Sequence, residues 1–493
     1  MAVAAGLLAV ACSQKAVTRK TTTEKSQGGN AAGQALAPEV REVPETIIAD
    51  RLAPSPEVTE NRYRFTGAFS LDKHIQLGSP QTVDWMFFDG DGSAMYQNHG
   101  FQEKASPFEA ETVTAGERFA TIVENPFMDA GEQRLSTFSI DVDTASYSLL
   151  RSNIERGIHF PADAVRVEEL INYFDYDYER PEGPDPFAVN VEVAECPWQP
   201  EHRLMRIGLQ GKDIDLAERK PVNLVFLVDV SGSMRDDLPL VKRSLGRVVE
   251  ELRPEDTVSI VVYAGSEGVA LEPTAASEKD TILRAIANMQ SGGSTNGAAG
   301  IELAYGMARE TFLAEGENRV MLCTDGDFNV GVTSTEDLVN LVEERAKEGV
   351  FLSVMGFGHG NFRDELIEEI TNKGNGNYAY IDSDAEADKA MRRELAGTLF
   401  TIAKDVKIQV EFNPARVKSY RLVGYDNRVM PNEDFDDDTK DAGEIGAGHV
   451  VTALYEIVPA EEFRPEEDLA YLQLRYKQPN EETSKLIAYN VRD

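Results

Sequence analysis

Three cysteines in 493 residues are too few for a disulfide framework, and no cysteine spacing suits a zinc site. Histidine is also scarce, at six residues, and no His-Glu-x-x-His arrangement occurs, which removes the usual helical zinc-hydrolase signature. Positive charge is in deficit. Lys and Arg total 49 against 85 Asp and Glu, a net charge of −36. A chain of that sign repels phosphate backbones, so nucleic acid is excluded as a partner. The same charge suits a soluble, self-repelling protein and is compatible with binding a divalent cation. Long hydrophobic runs are missing too, and no segment beyond the N-terminus approaches the length that crosses a bilayer. The length itself leads us to expect about two to four domains and a large buried core.

The N-terminus is the apolar exception. Ala2 to Ala11 is an uninterrupted small and apolar run, too short to span a membrane, which reads as a signal segment over residues 1–12. Leu8-Ala9-Val10-Ala11-Cys12 resembles the lipobox of bacterial lipoproteins. The resemblance implies cleavage before Cys12, a diacylglycerol on its sulfur, and a membrane-anchored protein of the cell envelope, periplasmic or surface-facing. Cleavage near Ala11 without lipidation is the alternative. No Lys or Arg precedes the run, so we expect the natural leader to extend further upstream. Residues 13–60, rich in Lys, Thr, Gly, Ala, Pro and Glu without apolar periodicity, read as a disordered tether. Residues 61–130 receive no assignment. Within them, the acidic residues from Asp84 to Asp91 are spaced too closely for a twelve-residue calcium loop and lack its bidentate Glu. A turn beside an aromatic cluster accounts for them.

Residues 131–215 read as a small α+β unit. A strand at 135–140 precedes Asp141-Val142-Asp143-Thr144-Ala145, which superficially matches the nucleophile motif of haloacid-dehalogenase-type phosphatases. That motif wants Thr or Val where Ala145 stands, and no convincing downstream lysine and acidic pair follows. Helix capping by Asp143 or Thr144 explains the same residues. Helices are predicted at 145–156 and 166–173, and alternating strands at 187–193 and 204–209.

From residue 220 to 402, apolar strands alternate with amphipathic helices, which predicts a doubly wound, mostly parallel α/β sheet with helices on both faces. Leu224 to Val228 is a continuous apolar run that ends in Asp229, Ser231 and Ser233, three oxygen-bearing side chains at alternate positions. Ligands of open α/β sheets bind at the carboxyl ends of the strands, and a hard cation needs several oxygens converging there. Ser291-Gly292-Gly293-Ser294-Thr295 is a glycine-rich loop opening a helix, and Asp325 ends the strand at 320–324. Asp229, Ser231, Ser233, Thr295 and Asp325 are therefore the candidate metal ligands. Asp327 and His359 lie at strand ends in the same domain, where a solvent-facing loop role suits each better than a part in the site. Cys323, inside a core strand, reads as a buried hydrophobe.

Asp-x-Ser-x-Ser, Gly-Gly-x-Thr and Thr-Asp-Gly, in that order within an alternating α/β domain, resemble a von Willebrand factor type A (VWA) domain and its metal-ion-dependent adhesion site. The flanks resemble bacterial VWA lipoproteins of the YfbK type: Ser136 to Tyr178 their N-terminal region, and Asn432 to His449 their C-terminal module. The resemblance implies that Ser231, Ser233 and Thr295 hold the metal directly, and Asp229 and Asp325 mostly through water. Near-octahedral oxygen ligation favours Mg²⁺, with Mn²⁺ or Ca²⁺ admissible. One coordination position is left open for an acidic side chain of a protein partner. The implied protein is a non-enzymatic binding module with two partners, an acidic protein group and, through Cys12, the membrane. A metal-dependent hydrolase or phosphatase and a structural subunit of an envelope assembly are the alternatives. Residues 403–493 read as β-strands of a sandwich. The acidic run Asp434, Asp436, Asp437, Asp438 and Asp441 suits a solvated loop better than a calcium site. This module looks short, so we expect the natural chain to continue beyond Asp493.

Overall fold

The computed structural model describes residues 85–88, 94–97 and 119–493, apart from 216, 218, 265–266, 294–296, 327–333, 359–362 and 462–466. Cys12, the tether and the acidic positions Asp84, Asp89 and Asp91 lie outside the described residues. Strands β1 (Trp85–Phe88) and β2 (Ala94–Gln97) pair antiparallel within a unit of their own, with Trp85 opposite Gln97.

The first flank supplies β3 (Met128–Asp129), β4 (Leu135–Ser139), α1 (Ala145–Arg156), α2 (Val167–Asn172), β5 (Phe187–Glu195) and β6 (Arg203–Gly211). The central domain follows with β7 (Val222–Asp229), α3 (Leu238–Glu251), β8 (Thr257–Tyr263), β9 (Glu267–Ala275), α4 (Lys279–Asn288) and α5 (Gly297–Glu310). It continues through β10 (Glu317–Thr324), α6 (Thr335–Lys347), β11 (Val350–Gly356), α7 (Asp364–Lys373), β12 (Tyr378–Tyr380), α8 (Asp384–Asp388) and α9 (Leu395–Leu399). The last flank holds β13 (Thr401–Phe412), β14 (Val417–Val423), β15 (Gly443–Gly446), β16 (Val450–Pro459), β17 (Ala470–Lys477) and β18 (Lys485–Val491).

The central sheet has the order β12-β11-β10-β7-β8-β9, parallel except for the β9 edge. β7 sits inside it and is buried along its whole length. Leu224, Phe226 and Val228 pack under Val241, Leu245 and Val248 of α3, whereas Val225 and Leu227 pack under Ile301 and Ala304 of α5. The period-two alternation thus feeds two cores, and each aliphatic side chain buried there contributes roughly 1.5–3 kcal/mol. Cys323 is fully buried with a free thiol, which burial pushes up. It is a hydrophobe of the core.

Two elements differ from the sequence reading. β9 escapes it because its alternation is broken by register shifts against β8 and by Pro273, which an edge strand tolerates. The apolar series Ala387, Met391, Leu395, Leu399 and Ile402 has the spacing of one helix, but the chain forms α8, a π turn at Lys389–Arg393, α9, and the start of β13. Thr401 pairs with Gly446, so sheet pairing captures the chain where helical spacing alone would have continued.

The flanks are not separate packages. β4 pairs with β13 in a five-stranded sheet containing β15, β17 and β18. β3, β5 and β6 join β14 and β16 in a second sheet. The two sheets enclose Phe138, Met205, Ile207, Ile408, Val410 and Tyr455, with Phe412 stacked on Tyr420 at 4.0 Å. The α/β domain is therefore inserted into a sandwich whose strands come from both sides of it. In the acidic loop that follows β14, Asp436 pairs with Arg475, and Asp437 accepts the Thr439 backbone N–H and hydroxyl. No helix among the described residues is long and apolar enough to cross a membrane.

Candidate metal centre

Asp229 ends β7 at the carboxyl edge of the sheet and is fully buried. Its Oδ1 accepts the Ser231 N–H at 2.8 Å, which curls the chain so that the Ser231 and Ser233 hydroxyls meet at 2.9 Å. The second oxygen, Oδ2, is also buried. Burial pushes the Asp229 carboxyl up to about 6; the Ser231 N–H opposes this and the Asp325 charge reinforces it. A hydrogen bond with the Tyr263 phenol also opposes it.

Backbone bonds bring the glycine-rich loop against this turn. Gly292 N–H donates to the Val230 carbonyl at 2.7 Å, and Gly232 N–H to the Gly293 carbonyl at 3.2 Å. Gly293 adopts φ +93°, a region that side chains disfavour, and α5 begins four residues later. Thr295 itself lies outside the described residues; the residues up to Gly293 and from Gly297 are in place beside the Asp229 turn. On the other side, β10 runs parallel to β7 with Cys323 opposite Val228, which carries Asp325 to the same edge. Asp325 is 5% exposed. Asp229, Ser231, Ser233 and Asp325 are thus gathered at one end of the sheet, and Asp327 and His359 lie outside the described residues.

Asp237 was not anticipated. Before Leu238-Pro239 it reads as a helix cap, and it does occupy that position of α3. Its carboxyl is also pushed up, first by burial and then by the charges of Asp325 and Asp236, with Arg156 opposing. A Cβ on Gly358 would stand 2.6 Å from Asp237 Oδ2 and 3.3 Å from Asp325 Cβ, so this glycine, at φ +66°, lets two acidic loops converge. Arg156 closes α1 of the flank, so the sandwich side contributes a cation to the rim of the centre. Gly300 in α5 has a similar role. A Cβ there would lie 2.9 Å from Tyr263 Cβ, and its absence lets the helix seat against the tyrosine beside Asp229.

The phosphatase-like pair is placed elsewhere. Asp141 Oδ1 accepts the Asp143 N–H at 3.0 Å, Asp143 Oδ1 accepts the Tyr378 N–H at 2.7 Å, and both residues are buried.

The profile of the von Willebrand factor type A domain matches residues 223–393, that of von Willebrand factor matches 113–206, and that of the YfbK C-terminal region matches 397–493. YfbK of Escherichia coli K12, an uncharacterized protein, is 40% identical over 398 residues, covering 76% of this chain and 69% of that one. The chain belongs to the YfbK family of VWA-domain proteins. Its VWA domain also matches the inter-alpha-trypsin inhibitor heavy chain H3 of Homo sapiens, 28% identical over 197 residues, 37% of this chain and only 22% of that one. Among solved structures, a von Willebrand factor type A protein from Catenulispora acidiphila superposes with a TM-score of 0.41 at 14% identity, over 65% of this chain and 75% of that one. BatB from Bacteroides thetaiotaomicron gives 0.30 at 24% identity, over 35% of this chain and 97% of that one. The family assignment rests on the sequence matches.

Proposed function

We propose that this protein is a metal-dependent protein-binding module of the cell envelope. VWA domains typically mediate protein–protein interaction, and the finer reading is that a divalent cation captures an acidic side chain of the partner. Ser231, Ser233 and Thr295 would hold the ion with hydroxyl oxygens, and Asp229 and Asp325 would balance its charge. The ion, Mg²⁺ by preference, supplies an electrophilic position that neutral hydroxyls leave unquenched. The observation that carries this reading is Asp229 Oδ2, a buried carboxylate oxygen gathered with the Ser231 and Ser233 hydroxyls and with Asp325 at the ligand end of the sheet. Such an atom is costly unless a cation or proton satisfies it. The chain's own residues orient the site: Ser231 N–H fixes the Asp229 rotamer, and the Gly292–Val230 bond holds the glycine loop in reach.

The apolar run ending at Cys12 supports membrane attachment through a lipid, with the VWA domain held away from the bilayer by residues 13–60. Binding, rather than hydrolysis, is the proposed role. The test is a pull-down from envelope extract with the full chain, with Mg²⁺ and with chelator, beside Asp229→Ala. Capture that requires Mg²⁺ and is absent in the variant is expected. Equal capture in all arms would refute the metal-dependent reading.

A further inference from the structure

Six carboxylates are buried together where α1, α2, α7 and the turn after β14 meet: Asp141, Asp143, Glu168, Glu169, Asp364 and Glu368, none more than 6% exposed. Two guanidiniums face them. Arg166 donates to Glu169 Oε1 at 3.1 Å and to Asp364, and Arg428 stands 3.1 Å from Asp141 Oδ1, 3.4 Å from Glu368 Oε1 and 3.7 Å from Asp143 Oδ2. Backbone donors serve other oxygens. Ser146 N–H reaches Glu169 Oε2 at 2.6 Å, and Tyr425 N–H reaches Glu168 Oε2 at 2.9 Å. After these are assigned, Asp141 Oδ2 and Glu368 Oε2 remain buried with no hydrogen-bond partner.

One carboxylate oxygen from each of Asp141, Glu169 and Glu368 lies within 4.8 Å of the other two. Oxygens bound to one Ca²⁺ at 2.3–2.6 Å stand at most about 5 Å apart, so a single ion can touch all three. A cavity of about 320 Å³ lined by Asp141, Asp143 and Arg428 adjoins the cluster and offers a route in from solvent. Six carboxylates against two guanidiniums leave a negative excess that a buried site does not hold unscreened.

We propose that Asp141, Glu169 and Glu368 form a second cation site, distinct from the Asp229 centre, that takes a hard divalent ion of calcium's size. Its ligands come from the segment after β4, from α2 and from α7, so the ion ties the flank that enters the sandwich to the inserted VWA domain. The role is structural.

The test uses the full chain, stripped with chelator, in an Asp229→Ala background that removes the first centre. Calorimetric titration with Ca²⁺ alone is expected to retain one equivalent and to raise the melting temperature. Adding Glu368→Gln is expected to weaken that binding by more than tenfold and abolish the thermal shift. A folded Asp229→Ala chain that binds no Ca²⁺, or a Glu368→Gln double variant with unchanged affinity, would overturn the proposal. If the Glu368→Gln chain does not melt cooperatively, Asp141→Asn in the same background takes its place: loss of Ca²⁺ supports the site and retention refutes it.

Discussion

The Asp229 turn and the Asp141–Glu169–Glu368 junction both gather buried carboxylates, but they are built in different ways. The first draws on strand ends of one sheet and uses few charges, with serine hydroxyls adding oxygens at no electrostatic cost. Its backbone is held by Ser231 N–H and by the Gly292–Val230 bond, and its acidic neighbours Asp325 and Asp237 come from adjacent loops. The second crowds charges from distant segments and relies on Arg166 and Arg428 to hold them. A centre proposed to engage a partner would need its ion at an accessible edge of the sheet. A centre meant to join domains needs only a path wide enough for the ion itself.

The comparison can be broken at several points. The largest effect is expected from Asp229→Ala, with Mg²⁺-dependent capture falling by more than the roughly 10–100-fold that loss of an outer-sphere partner costs. Glu368→Gln should leave that capture intact, and equal losses in the two variants would mean that the centres are not separate. Next comes Arg428→Met, which strands carboxylates in the junction. Breaking a buried pair in this way costs about 3–5 kcal/mol, readable as a lower denaturation midpoint. Gly300→Ala should cost about 1–3 kcal/mol, because the added methyl meets Tyr263 and must displace it. The same variant should weaken Mg²⁺ binding, whereas Ca²⁺ binding at the junction stays unchanged.

The smallest effect is a pH control outside both centres. His449, a partly exposed residue with an unpartnered Nδ1, has its ring pushed down to about 4 by burial, with Lys389 and Arg319 adding to it. The unfolded ring titrates near 6.5, so this contribution is complete above about pH 6.5 and is lost as the pH falls toward about 4. His449→Gln should flatten that limb of a stability-versus-pH curve. An unaltered curve would assign the acid loss to other groups.

The difference between the two centres also governs what could be read from the chain. Asp229-x-Ser231-x-Ser233 lies within five residues behind an apolar run, and strand ends are where α/β sheets bind ligands, so local pattern sufficed to bring these three oxygens together at one strand end. The parallel order of β10, β7 and β8 follows from the same alternation. Asp237 was hidden because a helix cap explains it equally well in sequence, and only Gly358 packing against it reveals the convergence. The junction was hidden more deeply. Asp141 and Glu368 are 227 positions apart, by their numbers, and no short motif joins them. The shared sandwich was concealed for a related reason: β4 and β13 pair across the whole inserted domain, and strand patterns do not name their partners.

The central claim is that the Asp229 centre holds a cation with one position open to an acidic group. Water-proton relaxation of Mn²⁺ bound to the full chain tests it most directly, with Asp229→Ala subtracted to remove any ion held elsewhere. The account predicts a strong enhancement from exchangeable water on the wild-type ion, and its decline when acetate or an acidic peptide takes that position. A difference signal that is absent, or one that no carboxylate diminishes, would contradict it.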